Sequence, residues 1–181
     1  SIYVEELEGD AWENFKHRIK FYSCNITSEF EVQNTCVKIL SDFDNVRVLI
    51  NNASLVKQVG HQNLDDAYKP FLQMKKEDWE EYLAVDVSGA ILMCQSLIPQ
   101  MCDAGSGSII NISSTYGILS PDQRLYETLS PDLKQGDAQA SRKIEKPIGY
   151  SVSKSAVLNL TRYLATMYGP KGIRVNTFTP G

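Results

Sequence analysis

Val46-Arg47-Val48-Leu49-Ile50-Asn51-Asn52 is a short run of branched apolar residues, broken only by Arg47, that stops at two amides, and its reading decides the fold. A run of that length without polar alternation suits a parallel strand buried on both faces, since helices on each side leave no solvent face to mark. Upstream, Phe21 to Ile26 reads as another short strand. Thr27 or Ser28 then offers a helix N-cap, Glu31 stands three residues after Ser28 as a capping-box acid, and Val32, Cys36, Ile39 and Leu40 recur at helical spacing. Downstream, a loop with Gly60, His61 and Pro70 leads to residues 76–101. There Trp79, Leu83, Val87, Ala90, Ile91, Cys94, Leu97 and Met101 mark one long amphipathic helix that Pro99 should end or kink. Residues 107–112 form the next strand, and residues 117–147 are polar and turn-rich. Tyr150 to Tyr168 is a second helix, with Val152, Ala156, Val157, Leu160, Leu164 and Met167 on one face and a stop at Gly169-Pro170. Ile173 to Phe178 is the last strand. Strands alternating with helices in this way predict an α/β fold with a parallel sheet and right-handed crossovers. Ligands of such sheets sit at the carboxyl ends of the strands, which singles out Asn25, Asn51-Asn52, Ser113-Ser114 and Pro180-Gly181.

The 181 residues make one domain's worth of chain, and 43% hydrophobic with 22% charged residues is ordinary globular composition. The net charge is −4, and Arg18, Lys20, Lys75, Arg142 and Lys171 are scattered, so no nucleic-acid footprint is expected. No uninterrupted apolar run approaches the roughly 18 residues that cross a bilayer, and the first ten residues are acidic rather than signal-like. These features predict a cytoplasmic protein with no membrane partner. Cys24, Cys36, Cys94 and Cys102 lack paired short spacing and only His17 and His61 are present, so free thiols and no metal site are expected. Glycosylation-like triplets at Asn25, Asn52 and Asn111 fall at predicted strand ends.

Tyr150 and Lys154 lie four apart on the second helix, which makes their side chains neighbours. A nearby ammonium favours the phenolate form of a tyrosine, so the pair can exchange a proton with a carbonyl or alcohol oxygen. With nine tyrosines and 18 basic residues the spacing also arises by chance, as a solvated pair on a helix surface. Ser114 follows a strand and can donate a hydrogen bond, and Asn51-Asn52-Ala53 follows another. Each alone is ordinary turn chemistry.

Taken in order, these pieces resemble the short-chain dehydrogenase/reductase family over nearly the whole chain, from Phe21 to Gly181. The matches are Asn51-Asn52-Ala53-Ser54, the serine strand Gly107 to Ser114, Tyr150-Ser151-Val152-Ser153-Lys154, and Arg174-Val175-Asn176 leading to Pro180-Gly181. The resemblance implies a Rossmann-like, doubly wound parallel sheet in three α/β/α layers. It implies that Tyr150 is the general acid/base, that Ser114 polarises the substrate carbonyl, and that Lys154 tunes Tyr150 and binds the nicotinamide ribose. Asn25-Ile26 would lie by the adenine, Asn52 and Ala53 by the adenosine ribose and phosphates, and Pro180-Gly181 by the nicotinamide of NAD or NADP.

Several departures accompany the matches. The family's glycine-rich turn is not found ahead of Phe21, where Gly9 is the only glycine, and the usual first βα unit and C-terminal segment are missing as well. The chain is therefore expected to be one partial dinucleotide-binding domain over residues 1–181, the middle of a longer enzyme. Asp86 stands where the family usually has an asparagine in a proton relay to the lysine. Asn25 replaces an aspartate and Ser54 a glycine. The 36 positions from Ser114 to Tyr150 exceed the family norm, so residues 117–147 read as a substrate-side insertion. Ser114-Thr115-Tyr116-Gly117, Pro121-Asp122 and Tyr126 resemble members from bacterial surface-sugar and flagellin-modification pathways. The two long helices are the family's usual subunit interface, implying a dimer or tetramer. The expected function is an NAD(P)-dependent oxidoreductase acting on a small carbonyl or secondary alcohol, a sugar among the candidates. The rivals are a non-catalytic nucleotide-binding or interaction protein on the same fold, and a sugar-nucleotide epimerase or dehydratase.

Overall fold

Three strands pair in parallel in the order β1 (Val48–Asn51), β2 (Gly107–Ile112), β3 (Ile173–Phe178) in the computed structural model, which describes residues 18–56, 69–127 and 145–181. Among the described residues five α-helices accompany them: α1 (Glu29–Asp42), α2 (Lys76–Tyr82), α3 (Gly89–Asp103), α4 (Arg124–Glu127) and α5 (Ile148–Tyr168). The register sets Leu49 beside Ile109 and Ile109 beside Val175, and one step along sets Asn51 beside Asn111 and Asn111 beside Thr177. Alternation along a strand puts all of these on one face. Val32 and Cys36 of α1, Cys94, Leu97, Ile98 and Met101 of α3, and Leu164 of α5 close over Leu49, Ile109, Ile173 and Val175 to form the core.

The parallel sheet with helices packed on it agrees with the expected α/β fold, and among the described residues its other face carries no long helix. Val48, Ile50 and Phe178 are 53%, 56% and 60% exposed, so the long helices among the described residues supply one covering layer and β1 is not buried on both faces. The predicted strand at 21–26 does not form either. A strand exists through its ladder, and no described strand lies along the edge of β1 away from β2. The segment instead enters a turn in which the Asn25 carbonyl accepts from the Ser28 N–H at 3.0 Å. Ser28 is the N-cap of α1, accepting from the Glu31 N–H at 3.3 Å. The Glu31 carboxylate bypasses Ser28 and accepts from the Asn25 N–H at 2.9 Å, because Asn25 Oδ1 folds the chain back through bonds from the Thr27 N–H and hydroxyl.

The helix expected over 76–101 is continuous but not uniform. Between α2 and α3 the residues Leu83–Ser88 wind as a π-helix, the wider turn that recurs at functional sites. Pro99 does not end α3, which runs on to Asp103, because Ile98 and Met101 beside it are locked in the core. By length and mean hydropathy Lys76–Asp103 is long and apolar enough to cross a membrane, yet its Ala90, Cys94, Leu97 and Met101 are buried within the domain. Helix α5 also differs from its apolar pattern. It buries Gly149, Ser153, Lys154, Val157, Thr161 and Leu164, while Val152 and Met167 are about half exposed. Polar groups occupy the inner face because the sheet has matching polar groups there. Asn51 Nδ2 donates to Asn111 Oδ1 (2.8 Å), Asn111 Nδ2 to Thr161 Oγ1 (2.9 Å), and the Thr177 hydroxyl to Thr161 Oγ1 (2.7 Å). This chain ties the carboxyl ends of all three strands to α5, and every buried polar atom in it has a partner.

A 3₁₀ turn at Thr115–Gly117 leads into the expected insertion, within which α4 is formed, while residues 128–144 and the loop at 57–68 lie outside the described residues. Gly172, at φ +82°, makes the left-handed turn into β3 that a side chain would resist.

Leu97 is 2% exposed at the centre of the core. Leu97→Ala is expected to lower unfolding free energy by about 2–5 kcal/mol in urea. Glu80→Ala, at the exposed Lys76–Glu80 pair, leaves the midpoint nearly unchanged.

Candidate active site

Asp86 lies in the π turn with its side chain sealed from solvent, opposite a Lys154 side chain that is 4% exposed. Its Oδ1 accepts from the Leu55 N–H at 3.0 Å, just beyond β1, and its Oδ2 accepts from the Ser153 hydroxyl at 2.6 Å. Lys154 Nζ stands 3.8 Å from Oδ2 and donates to the Ile112 carbonyl at 3.0 Å, at the end of β2. One carboxylate thereby links the loop after β1, the middle of the long helix and the inner face of α5. Burial pushes the Lys154 ammonium down from the ordinary lysine value, and the Asp86 charge 3.8 Å away opposes that. A lone buried ion would be too costly, so the pair and its three neutral partners are kept together.

The end of β2 leads directly into the reacting groups. Ser113 donates to the Lys154 carbonyl at 2.7 Å, fixing the strand against α5. Ser114 caps the 3₁₀ turn by accepting from the Tyr116 N–H at 3.2 Å, which leaves its own O–H proton free to donate outward. A side chain at Gly117 would strike Ser113 Oγ and the Lys154 backbone, so glycine allows the turn to reach α5. Tyr150 lies one turn before Lys154, whose Nζ is 5.8 Å from its ring centre, and Lys146 Nζ is 4.5 Å from the same ring. The Tyr150 hydroxyl has no hydrogen-bond partner among the described residues. The Thr115 N–H and hydroxyl both donate to the Pro180 carbonyl at 3.1 Å, which brings Pro180-Gly181 alongside Ser114.

Of the residues singled out in the sequence, Asp86, Ser114, Tyr150, Lys154, Pro180 and Gly181 therefore gather at the carboxyl ends of β2 and β3, and Asn52 and Ala53 are exposed at the end of β1. Asn25 is apart from this group, its amide oxygen used in its own turn, and Ile26 packs against Gly89 at the start of α3. Sequence reading passed over Ser153, Asn111, Thr161 and Lys146. Asn111 and Ser153 carried a signal, as an amide among the isoleucines of its strand and a hydroxyl within the apolar stripe of its helix; Thr161 lies off that stripe and carried none, nor did Lys146.

The donor set fits half of a nicotinamide dinucleotide. Lys154 spends one N–H on Ile112 and offers others, Asn52 presents a free amide, and Pro180-Gly181 runs beside Ser114, as a ribose and a carboxamide require. Among the described residues no glycine-rich turn forms a phosphate cradle, and no three His, Cys, Asp or Glu residues group as metal ligands.

Comparison with known proteins gives a consistent picture. The family model described as short chain dehydrogenase matches residues 4–127, and that described as enoyl-(acyl carrier protein) reductase matches residues 137–181. The D-threitol dehydrogenase of Mycolicibacterium smegmatis is 25% identical over 159 residues, which is 88% of this chain and 48% of that protein. The solved structure of ElxO with NADP bound superposes with a TM-score of 0.70 at 24% identity, over 94% of this chain and 56% of that one. That of NAD⁺-bound xylitol dehydrogenase gives 0.64 at 27% identity, over 88% and 49%. The chain spans about half the length of the curated relatives it matches.

Asp86→Asn keeps an oxygen for the Leu55 N–H but removes the charge that opposes burial of Lys154. The Lys154 ammonium is then expected to titrate lower than in the wild type, measured at its side-chain NMR signal, and unchanged titration would contradict the pairing.

Proposed function

This chain belongs to the short-chain dehydrogenase/reductase family, and from that premise we propose that the protein is an NAD(P)-dependent oxidoreductase acting on a carbonyl or secondary alcohol. The observation that carries the reading is the Tyr150–Lys154 pair held against Asp86 beside the uncommitted Ser114 hydroxyl. The nicotinamide, when bound, supplies or takes the hydride. In reduction, Ser114 donates a hydrogen bond to the carbonyl oxygen and Tyr150 passes its proton to that oxygen as charge builds on it. Lys154 holds positive charge beside the tyrosine, and two of its N–H groups serve the ribose hydroxyls. Asp86 touches no substrate in this scheme; it is a positioning residue that fixes the Lys154 side chain.

On the cofactor side, Asn52 and Ala53 take the adenosine ribose and phosphates and Pro180-Gly181 the carboxamide, with Asn25-Ile26 toward the adenine. NAD and NADP are both admitted, as the two cofactor-bound neighbours are. A small polyol or sugar substrate accords with the threitol and xylitol enzymes among the relatives. The surface-sugar and flagellin-modification assignment rests on the Ser114-Thr115-Tyr116-Gly117 pattern. The chain acts as a dinucleotide-binding domain, with residues 117–127 and 145–147 on the substrate side.

A homo-oligomer is proposed because Phe71, Trp79, Leu83, Ile148 and Val152 line an apolar hollow of about 400 Å³ where α2 meets α5. A cytoplasmic location accords with four unpaired cysteines. The rival reading, a non-catalytic nucleotide binder, draws on the lack of a phosphate cradle among the described residues. Tyr150→Phe separates the two: kcat is expected to fall by about 10²–10⁴-fold with cofactor affinity retained. Turnover close to wild type would contradict the proposal.

A further inference from the structure

A cavity of about 480 Å³ lies beside Tyr150, walled by Lys146, Tyr116, Gln123, Glu145 and Ser151 among others. Lys146 is held there by its backbone, whose N–H donates to Gln123 Oε1 at 2.8 Å. Its half-buried ammonium lies 4.5 Å from the Tyr150 ring centre and 5.8 Å from that of Tyr116. It has no carboxylate within ion-pair distance among the described residues. The second cation of the wall, Lys69, is engaged by Asp78 at 2.8 Å. Glu145 turns its carboxylate to the Phe71 N–H at 2.9 Å. Ser151 adds an independent observation: its hydroxyl is buried without any hydrogen-bond partner.

Among the described residues this cation has no anion and this buried hydroxyl no partner; each is unfavourable, and both belong to residues of one wall next to the proton-transferring tyrosine. We propose that this cavity seats a carboxylate of the substrate on Lys146, so that the alcohol or carbonyl compound is a short hydroxy or keto acid. Burial pushes the Lys146 ammonium down from the ordinary lysine value, and a bound carboxylate reverses that loss. One uncommitted cation beside the Glu145 carboxylate suits a monoanion, whereas a phosphate dianion would meet repulsion from Glu145. The nearness of Lys146 to the Tyr150 ring sets the carboxylate within a few bonds of the reacting carbon. Tyr116 lines the same cavity, and its hydroxyl accepts from the Tyr126 hydroxyl at 3.1 Å.

The inference rests on the oxidoreductase reading for the reaction but not for the docking, and the two are tested apart. Binding of 3-hydroxybutyrate against 1,3-butanediol, and of glycerate against glycerol, is measured by titration calorimetry on the full chain with cofactor present. At least one acid is expected to bind about tenfold or more tightly than its neutral partner. Lys146→Gln is expected to erase that preference with the neutral affinity unchanged, and Lys146→Arg to keep it. Equal binding of acid and neutral partner, absence of acid binding, a preference that survives Lys146→Gln, or equal weakening of both compounds overturns the docking. Tyr150-dependent oxidation of neutral alcohols without acid selection overturns the docking and leaves the oxidoreductase reading intact. Lys146-dependent acid binding with no oxidation under NAD or NADP supports the docking and contradicts the reading.

Discussion

The buried meeting of Asp86 with Lys154 is the constraint on which the site depends. Taking two charges out of water costs several kcal/mol per ion, and only a dense set of partners recovers it. Asp86 has the Leu55 N–H and the Ser153 hydroxyl, and Lys154 has the Ile112 carbonyl. Those partners come from the loop after β1, from α5 and from the end of β2. Satisfying the charges therefore fixes three parts of the fold relative to one another, and the π turn is the local distortion that carries Asp86 to the meeting point.

A neutral version of the same logic extends along the sheet. Asn51, Asn111, Thr161 and Thr177 pass hydrogen bonds from strand to strand and into α5, so the carboxyl ends of the strands cannot slide past the helix that bears Tyr150 and Lys154. Below this polar layer the apolar core of Leu97, Met101, Ile109 and Ile173 supplies the bulk of the burial. Above it stand the groups left free to act: the Ser114 proton, the Tyr150 hydroxyl, the exposed Asn52 and the Lys146 ammonium. The division follows from burial, since polar groups that must be satisfied internally lie below those that meet a ligand.

Much of this was legible in the sequence. The apolar runs at 46–50, 107–112 and 173–178 and the helical period over 76–101 and 150–168 gave the parallel α/β order, because short buried strands and amphipathic helices leave different hydrophobic periods. The four-residue spacing made Tyr150 and Lys154 neighbours and the strand-end rule singled out Ser114, and the resemblance to the family's motifs joined the three. What escaped the reading depends on tertiary partners. Phe21 to Ile26 has strand composition but no neighbour to pair with among the described residues. Val152 and Met167 fit an apolar stripe, yet α5 turns Ser153, Lys154 and Thr161 inward because Asp86 and Asn111 wait there. The π turn has no composition signal, and Lys146 falls in a stretch where periodicity says nothing.

We propose that the carboxyl ends of these strands, with Lys154 fixed by Asp86, form a nicotinamide dinucleotide site. Calorimetric titration of NADH and NADPH into the 181-residue chain and into Lys154→Met decides it. At least one dinucleotide is expected to bind in the micromolar range, about −8 kcal/mol, with a marked loss of affinity in Lys154→Met. No binding by the wild-type chain, or equal affinity in both proteins, would contradict it.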